Sequence, residues 1–195
     1  MLRFVVSACL LFACLAPAQA QNASAEELVR RMAADVTAQV RKNPEIANSQ
    51  TQLTALGEQW LMPRFDFNRI TQVAMGRNWP RASGGEQTQV VAEFSKMLVR
   101  TYSNALANLK DLDVQVRDSR NNSAADVTVR TQMIGRAKPV AIDYSLSSAS
   151  GSWRVYDVSV EGVSLVTAYR DEFNGIVSSS GVPGLIAVLK QKNGK

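Results

Sequence analysis

The sequence predicts an α+β domain: a curved antiparallel sheet of four or more strands in meander order, covered by helices. Three observations carry this. Apolar residues recur at helical spacing up to about residue 109. The period then changes to two through about residue 160. Helical spacing returns from residue 163. Helices and strands that are segregated along the chain, instead of alternating, indicate one sheet with helices on one side. Such a sheet can close over a packed core or over a hollow.

The elements follow in order. Residues 1–20 read as a cleaved secretory signal: Arg3 is the positive start, 4–15 the apolar stretch, and Ala18-Gln19-Ala20 a small-x-small cut site. The apolar stretch is too short for a permanent membrane anchor. Lipidation at Cys14, after Leu11-Phe12-Ala13, is a second reading, with a bulkier residue at Phe12 than that site prefers. Ser24 and Glu27 form a capping box for a helix over 24–42, with Leu28, Met32, Val36 and Val40 on one face. Asn43-Pro44 stops it. A second helix covers 50–60, before Pro63. Asp66 caps a short third helix that ends at Gly76. Asn78-Trp79-Pro80 is a turn, and Ser83 with Glu86 is a second capping box. The helix it opens runs over 83–109, with Val90, Phe94, Met97, Leu98, Tyr102, Ala105, Leu106 and Leu109 on its apolar stripe.

Four strands follow. Val114 and Val116 alternate with polar residues, as do Val127, Val129, Thr131 and Met133, then Val140, Ile142, Tyr144 and Leu146. Trp153 and Val155 open the fourth, but Val158 and Val160 fall on the opposite parity, which predicts a bulge or bend near Asp157. The links at Arg120-Asn121-Asn122, Gly135-Arg136 and Ser150-Gly151 are short and turn-like. A helix resumes over 163–179, and a last one covers 183–191 with Pro183 in its first turn.

Composition limits the chemistry. There is no histidine, and both cysteines, Cys9 and Cys14, lie in the leader. That excludes most nucleophilic triads, thiol chemistry and ordinary zinc or haem ligation. No metal and no cofactor are expected. The mature chain, 21–195, is expected to be a single domain held by packing alone. The net charge is +5, and losing Arg3 with the leader leaves +4. Charges are dispersed, with no basic stripe, so nucleic acid is not an expected partner. A modest positive balance favours anionic lipid surfaces or acidic partners. No later segment reads as a membrane span, so a soluble, exported monomer is expected, periplasmic in a bacterium with two membranes.

Two stretches carry a family resemblance. One is Phe65-Asp66-Phe67, then Gly76, Trp79, Gln87, Phe94, Leu98, Tyr102 and Leu106. The other is Trp153, Tyr156-Asp157-Val158, Glu161-Gly162-Val163-Ser164-Leu165, Tyr169-Arg170, Phe173, and the closing Gly181, Leu185-Ile186 and Leu189. Together they resemble the MlaC family, also called Ttg2D or toluene-tolerance proteins. Met75 stands where the family pattern has Leu, and Asp171-Glu172 where an amide is more usual. The resemblance implies a periplasmic carrier that shuttles glycerophospholipid between outer and inner membranes and so maintains outer-membrane lipid asymmetry. Acyl chains would sit inside and the headgroup near solvent. Implied partners are an outer-membrane lipoprotein–porin complex of MlaA type and an inner-membrane ABC transporter with an MlaD-type periplasmic ring.

The residues suit that task. Each methylene buried is worth about 0.8 kcal/mol, so two chains leaving a bilayer unaided cost on the order of 20 kcal/mol. A carrier must offset this with a dry cavity. Val127, Val129, Ile142, Tyr144, Trp153 and Val155 would form a sheet wall. Met97, Leu98, Tyr102, Leu106, Leu165, Tyr169, Phe173 and Ile176 would form a helical wall. By pattern alone the same residues would serve as plain core.

The polar residues have local readings. Arg170 could pair with Asp157 or Glu161, or face a phosphate. Arg64, Arg69, Arg77 and Arg81 form either a solvated face or a docking patch. Ser164 reads as a helix cap, whose amides could receive an anion. Rival functions remain. A small acid–base enzyme of the ketosteroid-isomerase kind would draw on Asp143, Tyr144, Tyr156 and Asp157, yet neighbours on a strand face opposite sides. An acyl-lipoprotein chaperone and an envelope scaffold with a solid core are the others.

Overall fold

The structure, a computed structural model, describes residues 16–135 and 137–194. The lipidation reading at Cys14, the start of the leader and Arg136 of the second strand link lie outside them. Among the described residues the order is α1 (Ala16–Lys42), α2 (Gln50–Trp60), α3 (Phe67–Met75), α4 (Gly84–Ser103), β1 (Asp113–Asn121), β2 (Asp126–Ile134), β3 (Val140–Ser147), β4 (Arg154–Val160), β5 (Val163–Ser164) and α5 (Leu165–Asn193). Short 3₁₀ turns join the helices. The strands form one open antiparallel meander, β1-β2-β3-β4-β5.

Several starts and stops follow local chemistry. Asp66 accepts from the Arg69 N–H and caps α3. Ser83 and Glu86 form the expected capping box. Gly76 ends α3 at φ 51°, a backbone that favours glycine. Other boundaries differ from the sequence expectation. Among the described residues α1 covers Ala16–Lys42, so it runs through Ser24 and across the expected cut site. The alanine-rich sequence between Pro17 and Ser24 has no helix breaker. Glu27 is bonded to Arg31 one turn on. The buried stripe of α1 runs through Ala25, Val29, Met32, Val36 and Val40, leaving Leu28 at its edge.

The long helix stops at Ser103 and continues as a 3₁₀ turn, Asn104–Lys110. The Ser103 hydroxyl donates back to the Arg100 carbonyl, a bond that competes with the helical ladder. The two expected C-terminal helices are both present within α5 and meet at Gly181, whose φ of 68° and ψ of −178° are not helical. Contrary to expectation, α5 is long and apolar enough to cross a membrane by composition. Its apolar residues Phe173, Leu185, Ile186 and Leu189 are instead buried against α3 and α4.

The predicted parity slip in β4 is a bulge. Leu146 pairs with Val155 and Ser145 with Asp157, so Tyr156 is the extra residue. Val155, Val158 and Val160 therefore pair with Leu146, Tyr144 and Ile142 and share their face. A second bulge lies in β1 between Val116 and Asp118, and no slip in the apolar pattern announces it.

The apolar interior is divided. One cluster joins α3, α4 and α5 around Phe94, Phe173 and Leu185. A second packs Ala25, Val29 and Met32 of α1 on Val127, Val129, Leu146 and Val155 of the sheet. A third gathers Val36, Val40, Leu56 and Leu109.

Candidate functional site

A cavity of about 270 Å³ lies where the three clusters meet. Each cluster contributes buried members to its wall: Ile70 and Val166 from the first, Met32 from the second, Val36 and Leu109 from the third. The sheet supplies Val114, Met133, Ile142, Tyr144, Val158 and Val160. Phe67 opens α3, and the segment before it supplies Leu61 and Phe65. It is fixed to β4 by the Asp66 N–H donating to the Val155 carbonyl at 2.8 Å. Helix α4 and the 3₁₀ turn after it add Leu98, Val99, Tyr102, Ala105 and Leu106. Tyr102 and Ala105 are the exposed members of the wall, which puts the opening beside the end of α4.

Of the expected wall residues, the cavity takes Leu98, Tyr102, Leu106, Ile142, Tyr144 and Leu165. The others lie elsewhere. Val127, Val129 and Val155 are fully buried against α1, and Trp153 packs on the same cluster. Met97 and Phe173 are buried among the α3, α4 and α5 side chains, and Ile176 and Tyr169 pack on them. Phe94 stands edge-on to both Phe173 and Tyr169, at 4.9 and 5.1 Å between ring centres. Sequence reasoning missed the α1 contribution and the Phe65/Phe67 pair. Those two phenylalanines were in view as a motif, and the parity slip was the signal for Val158 and Val160.

Polar groups on the wall are few, and most are engaged. The Ser103 hydroxyl accepts from Gln50 at 2.9 Å and donates to the Arg100 carbonyl. The Tyr102 and Tyr169 hydroxyls meet at 3.4 Å. Burial raises the Tyr169 phenol, and the contact with Tyr102 adds to this. Asp157 accepts from the Ser164 hydroxyl at 2.6 Å and from the Val158 and Val166 amides. It thus holds the start of α5, where Ser164 caps the helix as expected. The residue types of an acid–base pair, Tyr144 and Asp157, both reach the wall, but this carboxylate is committed to backbone and hydroxyl donors. Tyr144 is different: its phenol is pushed up to about 12 by burial alone.

The arginines do not form one face. Arg64 bonds Asp35 at 2.6 Å. Arg69 reaches Asp126 at 2.8 Å and the Ser147 hydroxyl, and lies 3.9 Å over the Tyr156 ring. Arg77 and Arg81 are exposed. Arg170 pairs with neither Asp157 nor Glu161. Its guanidinium donates twice to the Val73 carbonyl and ties α5 to α3. Glu161 instead accepts from the Ala141 N–H. Among the described residues no group of three or more acidic side chains is placed to hold a metal ion.

Comparison with known proteins follows the same lines. A family model described as MlaC protein matches residues 30–191. Toluene tolerance protein ttg2D of Pseudomonas putida is 26% identical over 123 residues, 62% of this chain and 57% of that protein. The intermembrane phospholipid transport system binding protein MlaC of Haemophilus influenzae is 21% identical over 136 residues, 67% of this chain and 64% of that one. The chain thus matches about three fifths of the length of these two relatives. A phospholipid-binding protein from Ralstonia solanacearum, solved in complex with a phospholipid, superposes with a TM-score of 0.80 at 34% identity. That match covers 88% of this chain and 97% of the other.

Proposed function

The chain belongs to the MlaC family, whose model spans residues 30–191, and from that membership and its hollow interior we propose that it is a phospholipid carrier of the Mla system. The observation that carries the reading is the division of the core. A domain of this size ordinarily has one contiguous apolar core. Here three clusters surround a cavity whose wall is almost wholly aliphatic and aromatic. An apolar cavity of this kind recovers the hydrophobic free energy that a lipid loses on leaving a bilayer. The one carboxylate on its wall, Asp157, is engaged by the Ser164 hydroxyl and two amides and is not offered to the cargo.

In this reading residues 1–20 are removed on export and residues 21–195 form one lipid-binding domain in the periplasm. Acyl chains enter beside Tyr102 and Ala105, and the headgroup stays at the opening. Leu98, Tyr102, Leu106, Ile142, Tyr144 and Leu165 contact the chains, with Met32, Val36, Phe65 and Phe67 opposite. The partners are an MlaA-type outer-membrane complex and an MlaD-type ring on an inner-membrane ABC transporter. The protein uses no cofactor and performs no chemistry on its cargo.

Transfer between membranes tests this. Donor vesicles of phosphatidylethanolamine and phosphatidylglycerol, holding a self-quenched fluorescent phospholipid, are mixed with unlabelled acceptors. The mature protein should speed dequenching in proportion to its concentration, without vesicle fusion. A rate equal to the protein-free control overturns the carrier reading.

A further inference from the structure

Tyr144 sits on the inner face of β3, paired with Val129 on one side and Val158 on the other. It lines the cavity, and among the described residues its hydroxyl has no hydrogen-bond partner. It is also not among the polar atoms sealed from solvent-sized contact. The residue is partly buried, and desolvation alone raises its phenol. Because Tyr144 lines the cavity, this desolvated and unpartnered hydroxyl is placed to meet what enters it.

The other polar side chains on the wall are committed. Ser103 is held by Gln50 and Arg100, Asp157 by Ser164 and two amides, and Tyr102 by Tyr169. A buried hydroxyl without a partner is costly, and phenylalanine would fill the same space without that cost. The group therefore awaits an acceptor that arrives with the ligand. A hydrocarbon chain carries none. The acceptors that enter with acyl chains are the carbonyl oxygens of their esters.

We propose that the Tyr144 hydroxyl donates a hydrogen bond to an ester carbonyl of the bound lipid, making it the residue that distinguishes ester-linked from ether-linked cargo. The proposal rests on the carrier reading and deepens it, by assigning the cavity one internal contact that is specific for a functional group. The bond sets how far the chains enter, because it fixes the glycerol end relative to β3.

A competition measures it. Full-length mature protein is equilibrated with vesicles that contain equal amounts of diacyl and di-O-alkyl phosphatidylglycerol with the same chain lengths. The protein is re-isolated without detergent, and both lipids are quantified by mass spectrometry. Wild type should hold the diester about five-fold in excess, the discrimination one net hydrogen bond gives. Tyr144→Phe should hold the two equally, with less diester per chain than wild type, the diether undiminished, and no loss of stability to urea. An equal ratio in wild type, as when a resident water occupies the hydroxyl, overturns the proposal. So does an undiminished preference in Tyr144→Phe, or a loss of both lipids together in that variant. If wild type holds neither lipid, the carrier reading fails as well, and total lipid content separates that result from the others.

Discussion

Burial pushes the Tyr144 phenol up to about 12, against the usual value near 10 for tyrosine. The sign of the consequence follows from proton linkage. A raised folded-state value means that the folded protein holds the proton where the unfolded chain has released it. This stabilisation is complete below pH 10 and is lost as pH rises from about 10 through 12. The Tyr169 phenol is raised in the same direction. Urea midpoints should therefore fall between pH 9 and pH 11.5, and the fall should be smaller in Tyr144→Phe, by on the order of 2 kcal/mol. Identical pH dependence in the two proteins would show that this phenol is not desolvated. Arg69 illustrates a different residue-scale economy. Its cluster suggested a solvated or docking face, but the side chain spans Asp126, Ser147 and the Tyr156 ring. It joins α3 to Tyr156, the extra residue of the β4 bulge. Nothing in the neighbouring residues could reveal that, because all three partners are distant in sequence.

At the scale of elements, the signals that could be read were local ones. The Ser83/Glu86 box and the Asp66 cap concern atoms three residues apart, so they are legible without tertiary structure. The β4 bulge was legible because a one-residue slip moves every later side chain to the other face. The cavity wall was legible only in part. Periodicity tells which face of a strand or helix is turned inward, but not whether another side chain meets it there. Val127, Val129 and Val155 meet Ala25 and Val29 of α1, so they are core. Tyr144 and Ile142, one and two pairs beyond Leu146 on the same sheet face, line the cavity. The difference is set by where α1 passes. It predicts contrasting outcomes for two similar substitutions. Ile142→Trp should project into the cavity, cut bound lipid several-fold and leave the fold intact. Val127→Trp should strain a filled site, cost about 1–3 kcal/mol and leave lipid per folded chain unchanged. Thermal melts and lipid quantification on both variants check this, and the reverse pattern would mean that α1 and the cavity are misassigned.

For the whole molecule, the α+β class and the meander were evident from the change of period near Asp113, because segregated helices and strands leave few other arrangements. The hollow was not evident from period at all. It arises because three apolar clusters form on different element pairs: α4 with α5, α1 with the sheet, and α1 with α2 and the 3₁₀ turn after α4. The helices of the first cluster satisfy most of their apolar surface among themselves, through Phe94, Phe173 and Tyr169. They need not collapse onto Ile142, Tyr144 and Val160, and the space between remains for a guest. Bound lipid should then act as part of the core. The most direct test of this account is the lipid content of the protein as purified from cells without detergent, by organic extraction and mass spectrometry. The account predicts diacyl phospholipid near one equivalent per chain. An empty extract from folded protein would contradict it.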